Sequence, residues 1–210
     1  MIQATDKQSI RSAVSQFGPA PGALFLLNLE KEAAEQAIQT GLYIVWRHPN
    51  SQQDCTRVGP NSKCFCGHLF QNHNISKRTN PCTSCHCNRY RFIPQRPEEV
   101  GEWWLPRRKE FDIRTYRVKC RCRHTHEEHD PRTESCRMCS CFRFESNFLC
   151  LVCDKHWEEH ETLYEDESER RMAGRTTGGD FMPLARDQDI QQMVFASRGR
   201  GRYVKKRPRK

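Results

Sequence analysis

The sequence predicts a small, irregular α+β fold stapled by metal: two tandem Cys/His blocks with short strands, an N-terminal helix, an acidic C-terminal helix and disordered tails. Three observations lead there. The 210-residue chain is poor in apolar residues, with 36% hydrophobic, 29% charged and a mean hydropathy of −0.90, so burial alone does not offset its conformational entropy. It carries thirteen Cys and nine His. The phrase CFCGHLFQNH at 64–73 also returns as CRCRHTHEEH at 120–129.

Residues 1–22 are polar, end in GPAPG and read as a loose leader. Residues 23–60 are expected to pack onto the first block. Within them Asn28 is placed to cap a helix over 29–39, rich in good helix formers, and Gly41 to stop it. The apolar β-branched and aromatic run 42–46 is a short buried strand, and HPNS at 48–51 is turn material. The first Cys/His block spans 61–92, a connector 93–119 and the second block 120–144. In the connector Trp103 and Trp104 are the largest apolar feature outside the blocks. They read first as a core plug between two lobes; the other reading is an exposed anchor for a protein partner. Residues 145–172 hold a C-x-x-C and a polar helix over 155–172, with seven acids between Glu158 and Glu169. From 173 to 210 the chain reads as disordered, with at most a short docked piece around 181–184.

The blocks carry the chemistry. Each spells C-x-C-x-H-x4-H, a loop, then C-x-x-C-x-C followed by x-R-aromatic. The ligand candidates are Cys64, Cys66, His68, His73, Cys82, Cys85 and Cys87 in the first, and Cys120, Cys122, His124, His129, Cys136, Cys139 and Cys141 in the second. Disulfides do not need the interleaved His, thirteen is odd, and Cys one residue apart are poorly placed to bridge each other. There is no early apolar run with basic residues in front and no stretch of about 18 apolar residues. The expectation is a chain inside the cell, cytoplasmic or nuclear rather than secreted and not in a membrane, with reduced thiols that bind metal. Thiolate with imidazole suits Zn²⁺ in a tetrahedron, whereas an iron–sulfur cluster favours all-Cys ligation.

Seven donors do not divide by four. In an extended segment Cys64, Cys66 and His68 share a face, and His73 can close a first site. Cys82, Cys85 and Cys87 then need an outside ligand. Cys55 is available to the first block and Cys150 or Cys153 to the second, which gives two to four zinc ions with the partition open. His48, His86 and His126 read as polar surface residues.

Enzyme patterns match in part only. H-x-E followed by P-C-x-x-C is not completed in either block. His156 and His160 satisfy H-x-x-E-H, but Cys150 and Cys153 complete a closed structural site of two Cys and two His just as well. Crowded Cys are better explained as ligands than as nucleophiles. A non-enzymatic chain is expected.

The net charge of +9 sits in the tail, where Arg198, Arg200, Arg202, Lys205, Lys206, Arg207, Arg209 and Lys210 supply eight basic residues and no acid. Without it 27 basic and 26 acidic residues remain, a net of +1. That tail suits nuclear import or non-specific nucleic-acid contact.

The stretches GLYIVWR (41–47), DCTRVG (54–59), CFCGH (64–68), RPEEVGEW (96–103), CRCRHTHEEH (120–129), FLC (148–150) and WEEHET (157–162) resemble the family with sequence similarity 221, its B-type branch above all. The match covers roughly residues 40 to 165. It carries over no activity, substrate or catalytic residue. It implies that Cys55, both blocks, Cys150, Cys153 and His160 form one framework, and it does not require His156. The function expected is a zinc-binding scaffold for a protein partner. The alternative is nucleic-acid binding through the tail.

Overall fold

The computed structural model describes residues 12, 15–16, 18–19, 21–75 and 79–196. Most of the expected leader and all of the basic stretch 198–210 lie outside them.

Helix α1, Ala23–Thr40, buries Leu27, Leu29, Ala33, Ala34 and Ala37. It begins six residues before the expected start, with Gly22 in the capping place and Asn28 exposed on its surface. The run 23–27 had been set apart from the helix because Asn28 is a good cap; its apolar residues are the helix's first buried turn. Gly41 ends it as expected, at φ 70°, donating its N–H to the Ala37 carbonyl at 2.9 Å.

Strand β1, Leu42–Arg47, is the centre of a three-stranded antiparallel sheet ordered β2-β1-β3, with β2 at Thr56–Arg57 and β3 at Glu161–Asp166. Leu42 lies opposite Asp166 and Arg47 opposite Glu161. Side chains alternate across β1. Tyr43 and Val45 pack with Ala34 and Ala37 of α1, while Ile44 and Trp46 pack into the cysteine-rich core.

The acidic helix expected over 155–172 is not there. The segment is a 3-10 turn at Trp157–Glu159, then β3, then a six-residue helix α2 at Glu167–Met172. Thr162, Leu163 and Tyr164 are strand formers, and the buried β1 takes them as a partner; the acid count had masked this. Asp166 caps α2 by accepting from the Glu169 N–H at 2.8 Å. The disorder expected from 173 is corrected as far as 196, apart from the short docked piece expected around 181–184, which is there. Phe181 is buried edge-on to Tyr43 with ring centroids 4.9 Å apart. Helix α3, Gln188–Ala196, sets Ile190 against Leu27. No helix among the described residues is long and apolar enough to cross a membrane.

Trp103 and Trp104 are 43% and 57% exposed, so the core-plug reading fails. The space between the blocks is filled instead by Phe65, Phe92, Phe144 and Trp157. Trp157 stacks on Phe65 at 5.1 Å, and its indole N–H donates to the Phe92 carbonyl at 2.6 Å.

One buried ion network ties the sheet to the segment entering the first block. Arg170 is fully buried and donates to Glu165 and Asp54, both at 2.7 Å. Arg47 reaches the same two carboxylates, and Arg175 adds a 2.9 Å bond to Glu165. Removing one member leaves uncompensated charge in a low-dielectric site. Glu165→Gln is expected to cost about 3–5 kcal/mol of unfolding free energy. A urea titration checks this, and a loss within error of zero contradicts it.

Candidate metal centres

The cysteine-rich core is built from one local device used three times. In the first block Cys64 N–H donates to the His68 carbonyl at 2.8 Å, and in the second Cys120 N–H donates to the His124 carbonyl at 2.9 Å. Near Cys150 the same bond runs to the Lys155 carbonyl at 2.8 Å. Each tight turn needs a positive φ, supplied by Gly67 (87°), Arg123 (74°) and Asp154 (56°). Each is followed by a 3-10 turn, Phe70–Asn72, His126–Glu128 or Trp157–Glu159, that delivers His73, His129 or His160.

Those three imidazoles are fixed in the same way. His73 Nδ1 lies 2.9 Å from the Leu69 carbonyl, His129 Nδ1 2.8 Å from that of Thr125, and His160 Nδ1 2.7 Å from that of His156. A carbonyl only accepts, so each Nδ1 carries the hydrogen and each Nε2 presents its lone pair to the cysteines. An aromatic ring packs on each: Tyr90 edge-on to His73 at 5.1 Å, Phe144 edge-on to His129 at 5.2 Å, and Trp46 stacked on His160 at 3.9 Å. Tyr90 and Phe144 are the aromatics that end the repeated motif.

Among the described residues five groups of four donors come together, with the ligand atoms of each within 4.8 Å of one another. In the first block these are Cys64, Cys66, His73 and Cys87, and Cys66, His68, Cys82 and Cys85. In the second they are Cys120, Cys122, His129 and Cys141, and Cys122, His124, Cys136 and Cys139. The fifth is Cys55, Cys150, Cys153 and His160. So Cys55 joins neither block; it meets Cys150 and Cys153 across the sheet end. The partition with His68 and His73 in one site is replaced by one that puts them in different groups.

In the two blocks the spacings match a metal tetrahedron and not a disulfide, while in the fifth group Cys153 Sγ and His160 Nε2 lie closer, at 3.0 Å. Cys66 Sγ is 3.6 Å from His68 Nδ1 and 3.7 Å from His73 Nε2, and Cys122 Sγ has the same two distances to His124 Nδ1 and His129 Nε2. Cys120 and Cys141 sulfurs are 3.9 Å apart. With metal–ligand bonds of about 2.0–2.3 Å, tetrahedral edges come to about 3.3–3.8 Å, whereas a disulfide needs about 2.05 Å. Backbone N–H groups of Arg91, Ser84, Glu145 and Met138 each lie 3.4 Å from a cysteine sulfur, that of Cys64, Cys82, Cys120 and Cys136 respectively.

Without a cation these groups hold few thiolates. Hydrogen bonding to its neighbours Cys64 and Cys66 pulls the Cys87 thiol far down, while Cys66, held between Cys64 and Cys87, is pushed far up. Burial pushes Cys64 up to about 12. In the fifth group Cys150, bonded by Cys55, falls to about 4, and Cys55 rises far above its ordinary value. In these two groups one thiol is lowered and its hydrogen-bonded neighbours are raised. Further thiolates need positive charge among them.

His86 is exposed beside Asp130, as its surface reading requires. His48 is half-buried and lies outside all five groups. His126 is not on the surface. It is buried at the place Phe70 and Trp157 hold in the other two turns, beside Phe65 at 5.9 Å, and burial lowers its pKa to about 4, so the ring is neutral. His156 also lies outside the groups. Its Nδ1 sits 3.0 Å from the Phe148 carbonyl and its Nε2 3.2 Å from Arg121. The H-x-x-E-H pair therefore spans a single 3-10 turn rather than one face of an α-helix. The third use of the device escaped the sequence reading, yet it has a signal. Cys66–His73, Cys122–His129 and Cys153–His160 all share the spacing C-x6-H.

Several known proteins are similar. The family model described as Protein FAM221A/B matches residues 27–101 and 109–196. Human Protein FAM221B is 50% identical over 171 residues, which is 79% of this chain and 42% of that protein. Rat Protein FAM221B is 51% identical over 159 residues, 73% of this chain and 31% of the relative. Rat Protein FAM221A is 29% identical over 163 residues, 72% and 49%. The chain thus spans less than half the length of these relatives. No solved structure matches.

His156→Ala is expected to leave the bound metal per chain unchanged, while His160→Ala loses one equivalent. Elemental analysis of the two purified variants decides it, and equal losses contradict the placement of His156.

Proposed function

The chain belongs to the FAM221 family, and from that premise we propose that it is a non-enzymatic zinc-binding protein whose metal-stapled core displays a surface for a protein partner. The observation that carries this reading is the gathering of all thirteen cysteines, with five of the nine histidines, into four-donor groups. The donor chemistry fits zinc: thiolate and imidazole, near-tetrahedral edges in the two blocks, and backbone carbonyls that fix the tautomer of His73, His129 and His160. Zinc would supply charge neutralisation and fixed geometry. A structural site of this kind is worth about 10–16 kcal/mol of binding energy that doubles as folding energy. The apolar clusters outside the cysteine-rich core are small by comparison.

Four thiolate- and imidazole-type ligands close a zinc coordination sphere, while catalytic zinc keeps one position open. That supports a scaffold over an enzyme. The candidate docking surface is the exposed pair Trp103 and Trp104, of which Trp103 shares a cleft with Leu151 and Val152, themselves 50% and 45% exposed. Exposed large apolar residues clustered in one place suit the apolar segment of a partner.

Nucleic-acid binding is the second reading, favoured by the concentration of the net charge in 198–210. Binding that falls steeply with salt and disappears on deleting those residues assigns it to the tail.

Chelation at neutral pH is expected to unfold the protein and release zinc, read by circular dichroism and a chromophoric zinc indicator. Retention of the fold without metal contradicts the staple. The double variant Trp103→Ala/Trp104→Ala is expected to keep the wild-type zinc content and melting temperature but to lose co-purifying partners. A variant that keeps its zinc, its melting temperature and its co-purifying partners contradicts the docking surface.

A further inference from the structure

Each block has seven donors, and two tetrahedra need eight. The difference is one shared atom. In the first block Cys66 belongs to both groups, and in the second Cys122 does. Building on the zinc reading above, we propose that each block holds a binuclear zinc centre bridged by a single thiolate, Cys66 in one and Cys122 in the other, so that the chain binds five zinc ions.

Four observations carry this. The first is membership. The remaining six donors of each block divide three and three, with no donor left over. Eighteen side chains, two of them counted twice, fill twenty coordination positions, which is five tetrahedra.

The second is symmetry about the shared sulfur. Cys66 Sγ lies within 0.1 Å of equidistant from His68 Nδ1 and His73 Nε2, at 3.6 and 3.7 Å, and Cys122 Sγ repeats both values with His124 and His129. A sulfur serving only one site has no reason to keep tetrahedral-edge spacing to a histidine of the other.

The third is the use of different ring nitrogens. His73 and His129 turn Nε2 inward because Nδ1–H is held by a carbonyl, while His68 and His124 present Nδ1. The two imidazoles of a block thus approach the shared sulfur from separate local frames.

The fourth is charge. One zinc per block would leave three donors uncoordinated and crowded against the centre. Two zinc ions among five thiolates bring a block to a net −1. The bridging sulfur is the natural place for the doubled contact. Each C-x-C turn holds it between a buried cysteine, Cys64 or Cys120, and an outward-facing histidine.

The test uses the full chain loaded with zinc under reducing conditions. Native mass spectrometry with elemental analysis is expected to give five zinc ions. In the ¹¹³Cd-exchanged protein the NMR spectrum is expected to show five resonances, four of them paired by metal–metal coupling through sulfur. Cys139→Ser, which removes an exposed ligand of one group only, is expected to bind four ions and lose one coupled pair. Cys122→Ser loses the coupling in the second block as well; if that variant fails to fold, the wild-type spectrum and Cys139→Ser still decide. Three ions per chain, or five uncoupled resonances, overturns the bridge while the zinc scaffold stands. Less than one ion per chain overturns both.

Discussion

Crowding thiols against imidazoles at tetrahedral-edge distances is the constraint on which the rest of this structure depends. Protonated sulfurs gain little from such closeness. Several thiolates side by side repel one another, and in two of the groups a lowered thiol stands beside neighbours pushed up. A divalent cation reverses the balance, because it turns mutual repulsion into shared attraction. The backbone is built for that outcome. Three tight turns hold positive φ, three 3-10 turns deliver a histidine, and three carbonyls fix its tautomer. The 3-10 turns also bury Phe70, His126 and Trp157, but packing alone does not call for three carbonyls that each fix a histidine tautomer. As ligand-positioning devices they are consistent with one another.

The α+β part serves the same end. β1 divides its side chains between two cores, with Tyr43 and Val45 facing the helix and Ile44 and Trp46 facing the sulfur side. Trp46 covers His160, and Asp54, anchored by Arg47 and Arg170, sits next to Cys55. The sheet is thereby the frame that brings Cys55 to Cys150, Cys153 and His160. The blocks meet each other through Arg91, which bonds Glu134 across the repeat and lies over Phe65 at 4.9 Å.

Local signals were legible where they were strong. Gly41 stopped the helix, 42–46 read as a strand because its residues suit little else, and the duplicated Cys/His phrase was visible at once. What escaped was non-local or masked. β3 hid behind its acids, since Glu161, Glu165 and Asp166 suggested a solvated helix while Thr162, Leu163 and Tyr164 needed β1 to reveal their role. His126 looked like a polar bystander because chemistry was read from its type; its position three before His129, matching Phe70 and Trp157, assigns it to packing. The sharing of Cys66 was invisible because sequence gives a list of donors and not how many neighbours each one touches.

Cys55 and Cys150 are brought together across the ends of a long excursion that contains both blocks and the connector, and β1 with β3 pairs the same two regions. Closing so long a loop costs the unfolded chain entropy that a cross-link removes in advance. With a cation bound as proposed, the fifth group would work as a clasp on a purse. A cut in the connector beside Trp104 would then leave two fragments that do not part, because that ion, the antiparallel ladder and the aromatic core shared by the blocks would still hold the mouth shut.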